Sequence, residues 1–135
     1  MAKSSGLGQT TLSVDDAGGT ARDIRNDITN WQMATPRGVQ DTTGVDKSAN
    51  ERLLLLADMS VTYNGVFNPS SNRQHDVFKT VPSTSVARTC TNTVNGVTLA
   101  GELLFSDYQI TRADSGELTW SAPGALADGT VPTWA

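Results

Sequence analysis

Residues 46–67 read DKSANERLLLLADMSVTYNGVF. Ser48 and Glu51 stand at Ser-x-x-Glu spacing. In a capping box, the serine oxygen accepts the N3 amide and the glutamate reaches back to the serine N–H. Downstream, Ala49, Leu53, Leu56 and Ala57 recur at i, i+4, i+7 and i+8, one stripe of a 3.6-residue period. The pattern predicts a helix from Ser48 to about Ala57. Leu54 and Leu55 fall off that stripe, so the four consecutive leucines cover more than half of the helix circumference. A surface helix normally hides a single stripe. The expectation is that Ala49, Leu53 and Leu56 cover the chain's own sheet and that Leu54 and Leu55 meet a second subunit. From Met59 the period switches to two, with Met59, Val61 and Tyr63 on one face of a strand. Asn64-Gly65 either turns that strand or kinks it.

Outward from this stretch the chain reads as strands and turns. Thr10–Val14 and Thr20–Ile24 form a hairpin around Asp15-Asp16-Ala17-Gly18-Gly19, where Asp accepts local hydrogen bonds and Gly permits positive φ. Asn26–Ile28 is a turn, and Thr29–Ala34 is a third strand. The segment 35–46 lacks a period and carries Pro36, Gly38 and Gly44. It is expected to be a loop, of a length at which loops tend to be functional. A short helix is predicted over His75–Val81, stopped by Pro82. Val86–Val94 and Val97–Phe105 pair across Asn95-Gly96, the strongest hairpin signal present. The apolar parity then flips to Tyr108 and Ile110, which predicts a bulge or corner near Ser106-Asp107. Asp114-Ser115-Gly116 turns the chain into a last strand, Glu117–Ser121. This divides the chain into an N-terminal arm (1–9), a β domain (10–122) and a tail (123–135). The fold class is mainly β: a sandwich or half-barrel with one flanking α-helix.

The 135 residues carry 10 Lys/Arg against 14 Asp/Glu. The two signs balance up to Cys90. Beyond it only Arg112 opposes Glu102, Asp107, Asp114, Glu117 and Asp128. A net acidic chain is poorly suited to nucleic-acid binding driven by phosphate neutralisation. No apolar run approaches the ~20 residues of a membrane span. The first residues, MAKSSGLGQT, lack the apolar core of a secretory signal. One cysteine and no glycosylation sequon suit a reduced compartment. His75 is the single histidine, with no nucleophile elbow. Cys90 has no second thiol nearby and is read as buried and structural. Zinc, EF-hand, dinucleotide and Walker patterns are absent, so neither an enzyme nor a cofactor is expected. Of the tryptophans, Trp120 belongs in a core. Trp134, in a Pro-containing tail, docks either on its own chain or on a neighbour.

Several runs carry a resemblance. They are Asp16-Ala17-Gly18-Gly19-Thr20-Ala21-Arg22-Asp23-Ile24, Thr43–Arg52 (TGVDKSANER), Tyr63–Pro69 (YNGVFNP) and Ala127–Trp134 (ADGTVPTW). With their order in the chain, they resemble the major tail tube proteins of long-tailed, siphovirus-type bacteriophages, especially those of actinobacterial hosts. The resemblance implies a tail-tube-like β fold and homohexameric rings whose inner sheets join into one β-barrel. Stacked rings then form a tube through which phage DNA passes without specific binding. It implies a virion location after assembly in the host cytoplasm. Implied partners are further copies of the chain, a tape-measure protein, a terminator and tip proteins. On that reading Leu54, Leu55 and Trp134 are candidates for subunit contacts, and Glu102, Asp107, Asp114 and Glu117 for lumen or rim charges. The segment 35–46 and the N-terminal arm join Trp134 as candidates for contacts between rings. Without the resemblance, a monomeric or dimeric β-sandwich binding module for a host surface or carbohydrate remains the other reading.

Overall fold

The computed structural model describes residues 3–135. Ten strands and one short helix follow in the order β1 (Thr11–Asp15), β2 (Ala21–Asp23), β3 (Ile28–Ala34), β4 (Arg37–Asp41), β5 (Arg52–Ala57), β6 (Ser60–Val66), α1 (Gln74–Phe78), β7 (Arg88–Val94), β8 (Val97–Phe105), β9 (Gln109–Arg112) and β10 (Leu118–Leu126). The main sheet is antiparallel, ordered β2-β1-β7-β8-β10-β6-β3, with β9 on the free part of β10. The mainly β class with one flanking helix is borne out. That helix is α1, the shorter form of the segment predicted over His75–Val81.

Alternation gives the sheet one apolar face. Leu12 and Val14, Cys90, Leu99 and Leu103, Trp120 and Ala122, and Val61 and Tyr63 are all buried in one cluster with Met59, Val77 and Phe78. The sheet curls, so its two ends meet across this core. Gln9 spans the seam: its Oε1 accepts the Trp31 indole N–H at 3.0 Å, and its amide donates to Asn92. Phe78 of α1 caps the middle, with ring centroids 5.1 Å from Phe105 and 5.2 Å from Trp120. Arg88 is buried beside it. Its guanidinium donates to the carbonyls of Val77 (2.9 Å) and Asp15 (3.1 Å) and to the Thr80 hydroxyl (2.9 Å), tying α1 to β1.

The predicted bulge is present. β8 pairs Phe105 with Gly124, and β9 pairs Gln109 with Ser121. Four steps along one strand oppose three along β10, so one extra residue reverses the parity. β10 runs on to Leu126, beyond the expected end at Ser121, and carries Pro123 opposite Thr62. Asn95 (φ 49°) and Gly96 (φ 83°) form the β7–β8 turn in the left-handed region that this hairpin type requires.

The helix over Ser48–Ala57 is not formed; its leucines are the strand β5. The expected loop 35–46 contains its partner, β4. The ladder Ala34↔Ser60 of β3–β6 continues through Pro36, whose carbonyl accepts the Asp58 N–H at 2.9 Å, to Arg37↔Ala57 and on to Asp41↔Arg52 after one register shift. Residues 28–66 are therefore one long ribbon. The expected Ser48 cap is replaced by Thr43, whose hydroxyl receives the Glu51 N–H at 2.8 Å and closes the tip. Asn64-Gly65 makes no turn and lies within β6.

A Cβ at Gly65 would sit 1.8 Å from the Asp27 carbonyl oxygen, a backbone atom that cannot yield as a side chain would. Gly65→Ala is expected to lose about 2–4 kcal/mol in urea unfolding, whereas Gly6→Ala, with open space around it, leaves the midpoint unchanged. Asp16 holds the first turn. Its carboxylate accepts the N–H groups of Gly18 (2.9 Å) and Thr20 (3.0 Å) and pairs with Arg22 at 3.0 Å. These contacts, the Thr20 bond foremost, lower its pKa below the ordinary value of 3.8. Its stabilisation is therefore complete above the unfolded-chain pKa and is lost as pH falls through the lower folded value. Asp16→Asn should reduce thermal stability at pH 7, and the gap to wild type should close toward pH 2.

Candidate assembly surfaces

β4 and β5 leave the body as a two-stranded arm. Along it Leu53, Leu54, Leu55 and Leu56 are 56%, 60%, 45% and 89% exposed, and Val39 is 54% exposed. Alternation puts them on both faces. Val39 pairs with Leu54, and Asp41 with Arg52, so Val39 and Leu54 share a face with Asp41 and Arg52. Leu53 and Leu55 share the other with Gly38, where a Cβ would lie 3.3 Å from that of Leu55. Leu54 and Leu55, read together as one interface, thus point to opposite sides. An isolated two-stranded ribbon is marginal in water, and exposed apolar patches of this kind mark interaction surfaces. Arg37 steadies the base by donating to the Leu55 carbonyl at 3.0 and 3.1 Å.

Trp134 returns to its own sheet. It bridges to Leu99, and Ala135 and Thr98 exchange backbone hydrogen bonds of 2.8 and 2.9 Å. The tail thus covers the β8 edge that β10 vacates after Leu126, while the indole stays 54% exposed.

The face of the main sheet opposite the core is rich in short polar side chains, with Leu104 and Val66 as its exposed large apolar exceptions. It presents Thr11 and Ser13 on β1, Thr89, Thr91 and Thr93 on β7, Thr98 on β8, Ser121 on β10, Thr62 and Asn64 on β6, and Gln32 on β3. Its strands β1, β7, β8, β10, β6 and β3 present the carboxylates Asp15 and Glu102 there and no Lys or Arg. Glu102 accepts the Thr89 hydroxyl. The other three predicted charges are not beside it. Asp107 sits in the bulge and accepts the Tyr108 N–H (2.8 Å) and the Gln109 amide (2.9 Å). Asp114 lies in the β9–β10 turn, and Glu117 leads into β10, where its carbonyl accepts the Ala113 N–H at 2.9 Å.

The possible chemical groups are engaged elsewhere. His75 Nδ1 lies 3.0 Å from the Tyr108 hydroxyl, which also receives the Gln74 amide at 2.6 Å. Cys90 is fully buried, and desolvation drives its thiol pKa well up, away from nucleophilic behaviour. Among the described residues no three His, Cys, Asp or Glu side chains converge as a metal site, and no helix is long and apolar enough to cross a membrane. A cleft of about 400 Å³ lies at the seam between Gln9, Arg25 and Trp31; Arg25 there is already paired with Asp23 at 2.9 Å.

The arm and the hydroxyl face were missed in the sequence. The signal for the arm was length: ten residues from Ser48 to Ala57 is at the lower limit for a helix, and a short apolar run between turn residues fits a strand equally.

No known protein-family model matches the sequence, and no curated protein matches it. Among solved structures, 18 chains match in fold. One belongs to the tail of an empty gene transfer agent particle refined helically with C6 symmetry: TM-score 0.69, 14% identity, covering 93% of this chain and 94% of that one. Another belongs to the virion of a native gene transfer agent particle: TM-score 0.63, 12% identity, covering 92% and 95%. At such identities the likeness is one of fold, and it extends over nearly the whole of both chains.

Because Leu54 and Leu55 are exposed and outside the core, Leu54→Ala and Leu55→Ala should each move the unfolding free energy of dilute protein by no more than about 0.5 kcal/mol. Leu103→Ala, in the core, should cost about 2–5 kcal/mol. Chemical denaturation at low protein concentration separates the two classes.

Proposed function

We propose that this chain is the structural building block of a phage-like tail tube, with no catalytic role. Copies associate into rings, rings stack, and the tube conducts DNA. The observation that carries this reading is the apolar arm: four consecutive leucines held in an exposed ribbon with apolar side chains on both faces. Such a surface suits burial in an assembly better than solvent. The full-length fold likeness to a chain of a C6 tail supports it, and six-fold rings are the simplest ring order to adopt from that neighbour. Leu54 and Leu55 serve as subunit contacts, and Trp134, exposed on a tail that seals an edge, as another. The virion is then the site of action. A tape-measure protein, a terminator and tip proteins are the partners such a tube requires.

The hydroxyl face is the proposed lumen wall. DNA phosphates bind through Lys and Arg with counterion release. A wall without cations, bearing a few carboxylates such as Glu102, leaves the duplex nothing to grip. Asp107, Asp114 and Glu117 then act as rim charges rather than wall charges.

Concentrated purified protein should form tubes visible by negative-stain electron microscopy; particles that stay monomeric after long incubation would sink the proposal. In a phage or particle carrying Glu102→Lys, tubes should assemble but deliver DNA poorly. Undiminished delivery would remove Glu102 from the lumen.

A further inference from the structure

We propose that the arm face formed by Val39 and Leu54 seats on the β9–β10 hairpin of a second copy, against Ile110 and Leu118. This rests on the tube reading and names the receptor for the arm.

The receptor is the β9 edge of the main sheet. β9 lies on β10 with Trp120 opposite Ile110 and Leu118 opposite Arg112. Ile110 and Leu118 therefore continue the core side of the sheet past the last covered residue, Trp120, and are 46% and 37% exposed. β9 is an edge strand of the main sheet, laid on β10 with β6 on the other side of β10, and its apolar side faces water. The arm stacked face to face on it at about 10 Å forms a small sandwich, which shelters a two-stranded ribbon that is marginal alone.

Position excludes the chain's own arm as occupant. The β6–β10 ladder runs from Ser60↔Ala125 to Val66↔Thr119. The arm continues β6 beyond the first pair, and the β9–β10 turn lies beyond the last. Seven paired residues at about 3.3 Å each separate the two by roughly 20 Å, and they point in opposite directions. A contact between the arm of one copy and the hairpin of another is therefore heterologous. It leaves one free arm and one free hairpin at the ends of any row, and so propagates.

Charge agrees with the match. On the arm face Asp41 and Arg52 flank the apolar residues. On the hairpin Arg112 shares the side of Ile110 and Leu118, and Asp114 and Glu117 stand at its turn. Among the described residues Arg52, Arg112, Asp114 and Glu117 form no ion pair. Arg52 can meet the acidic turn while Arg112 meets Asp41, a reciprocal arrangement that fixes register more than it adds affinity.

Full-length single-site variants test this. Val39→Cys and Leu54→Cys are each mixed with Ile110→Cys or Leu118→Cys and treated with a short bismaleimide. Native Cys90 is buried and does not compete. A cross-linked dimer is expected in the mixtures and not in any variant alone. In parallel, Arg112→Glu should abolish tubes, and adding Asp41→Arg in the same chain should restore them. Wild-type tubes without cross-links in any mixture would overturn the assignment and leave the tube reading standing. Equal cross-linking of single variants would also overturn it, since like surfaces would then be meeting. If the wild type forms neither tubes nor cross-links, the tube reading itself fails.

Discussion

The fold depends on one close approach. Gly65 in β6 has no side chain, and the backbone of Asp27 occupies the space a Cβ would take. Beside it, the Trp120 indole N–H is shared between the carbonyls of Asp27 (3.2 Å) and Val66 (3.1 Å). The Asp27 carboxylate, buried, accepts the Asn68 amide at 2.7 Å and the Gln74 N–H at 3.2 Å. One point thus fixes the start of β3, the end of β6, the face of β10 and the first turn of α1. Loss of any member would leave buried polar groups unpaired, at about 1–3 kcal/mol each. The core and the ribbon leading to the arm are both referred to this point.

The arm inverts the usual relation between apolar sequence and burial. The most apolar run in the chain lies outside the core, and the core side chains come from alternating strands that look polar in bulk. A monomer in solution therefore carries its largest apolar exposure on its least supported element. In the proposed tube, rings would be made from subunits already folded, since the arm's leucines lie outside the core.

Strands with strict alternation were legible from sequence. Thr10–Val14, Thr29–Ala34, Met59–Phe67 and Val86–Phe105 each announce their own face, and the parity flip at Ser106-Asp107 located the bulge. The helix at Ser48 failed for a physical reason. Leucine has high helix propensity, and Leu53, Leu56 and Ala57 fit a helical stripe by the accident of four identical neighbours. The ladder inherited from β3–β6, a long-range pairing, overrides local preference. Of the arm residues, Leu54 and Leu55 lie outside the chain's own core, but so do Ala49, Leu53 and Leu56, which were expected to cover the sheet. The opposite directions of Leu54 and Leu55 follow only once the strand is known. The acidic excess after Cys90 was visible as composition, but its separation into Glu102 on the hydroxyl face, Asp107 in the bulge and Asp114 and Glu117 at the β9–β10 turn depends on the bulge. The hydroxyl face was spread over six strands as scattered Thr, Ser and Asn, with no local motif to reveal it.

The continuous ribbon also has a mechanical meaning. Because β4 and β5 are extensions of β3 and β6, a pull on the arm along its axis enters β6 along the strand. The seven pairs between β6 and β10 are then loaded together in shear, with their hydrogen bonds perpendicular to the force. They are not peeled one at a time, as they would be if the arm joined the body through a hinge or a flexible loop. The chain thus places its arm in line with one of its two longest ladders, a geometry suited to carrying tension along the strand.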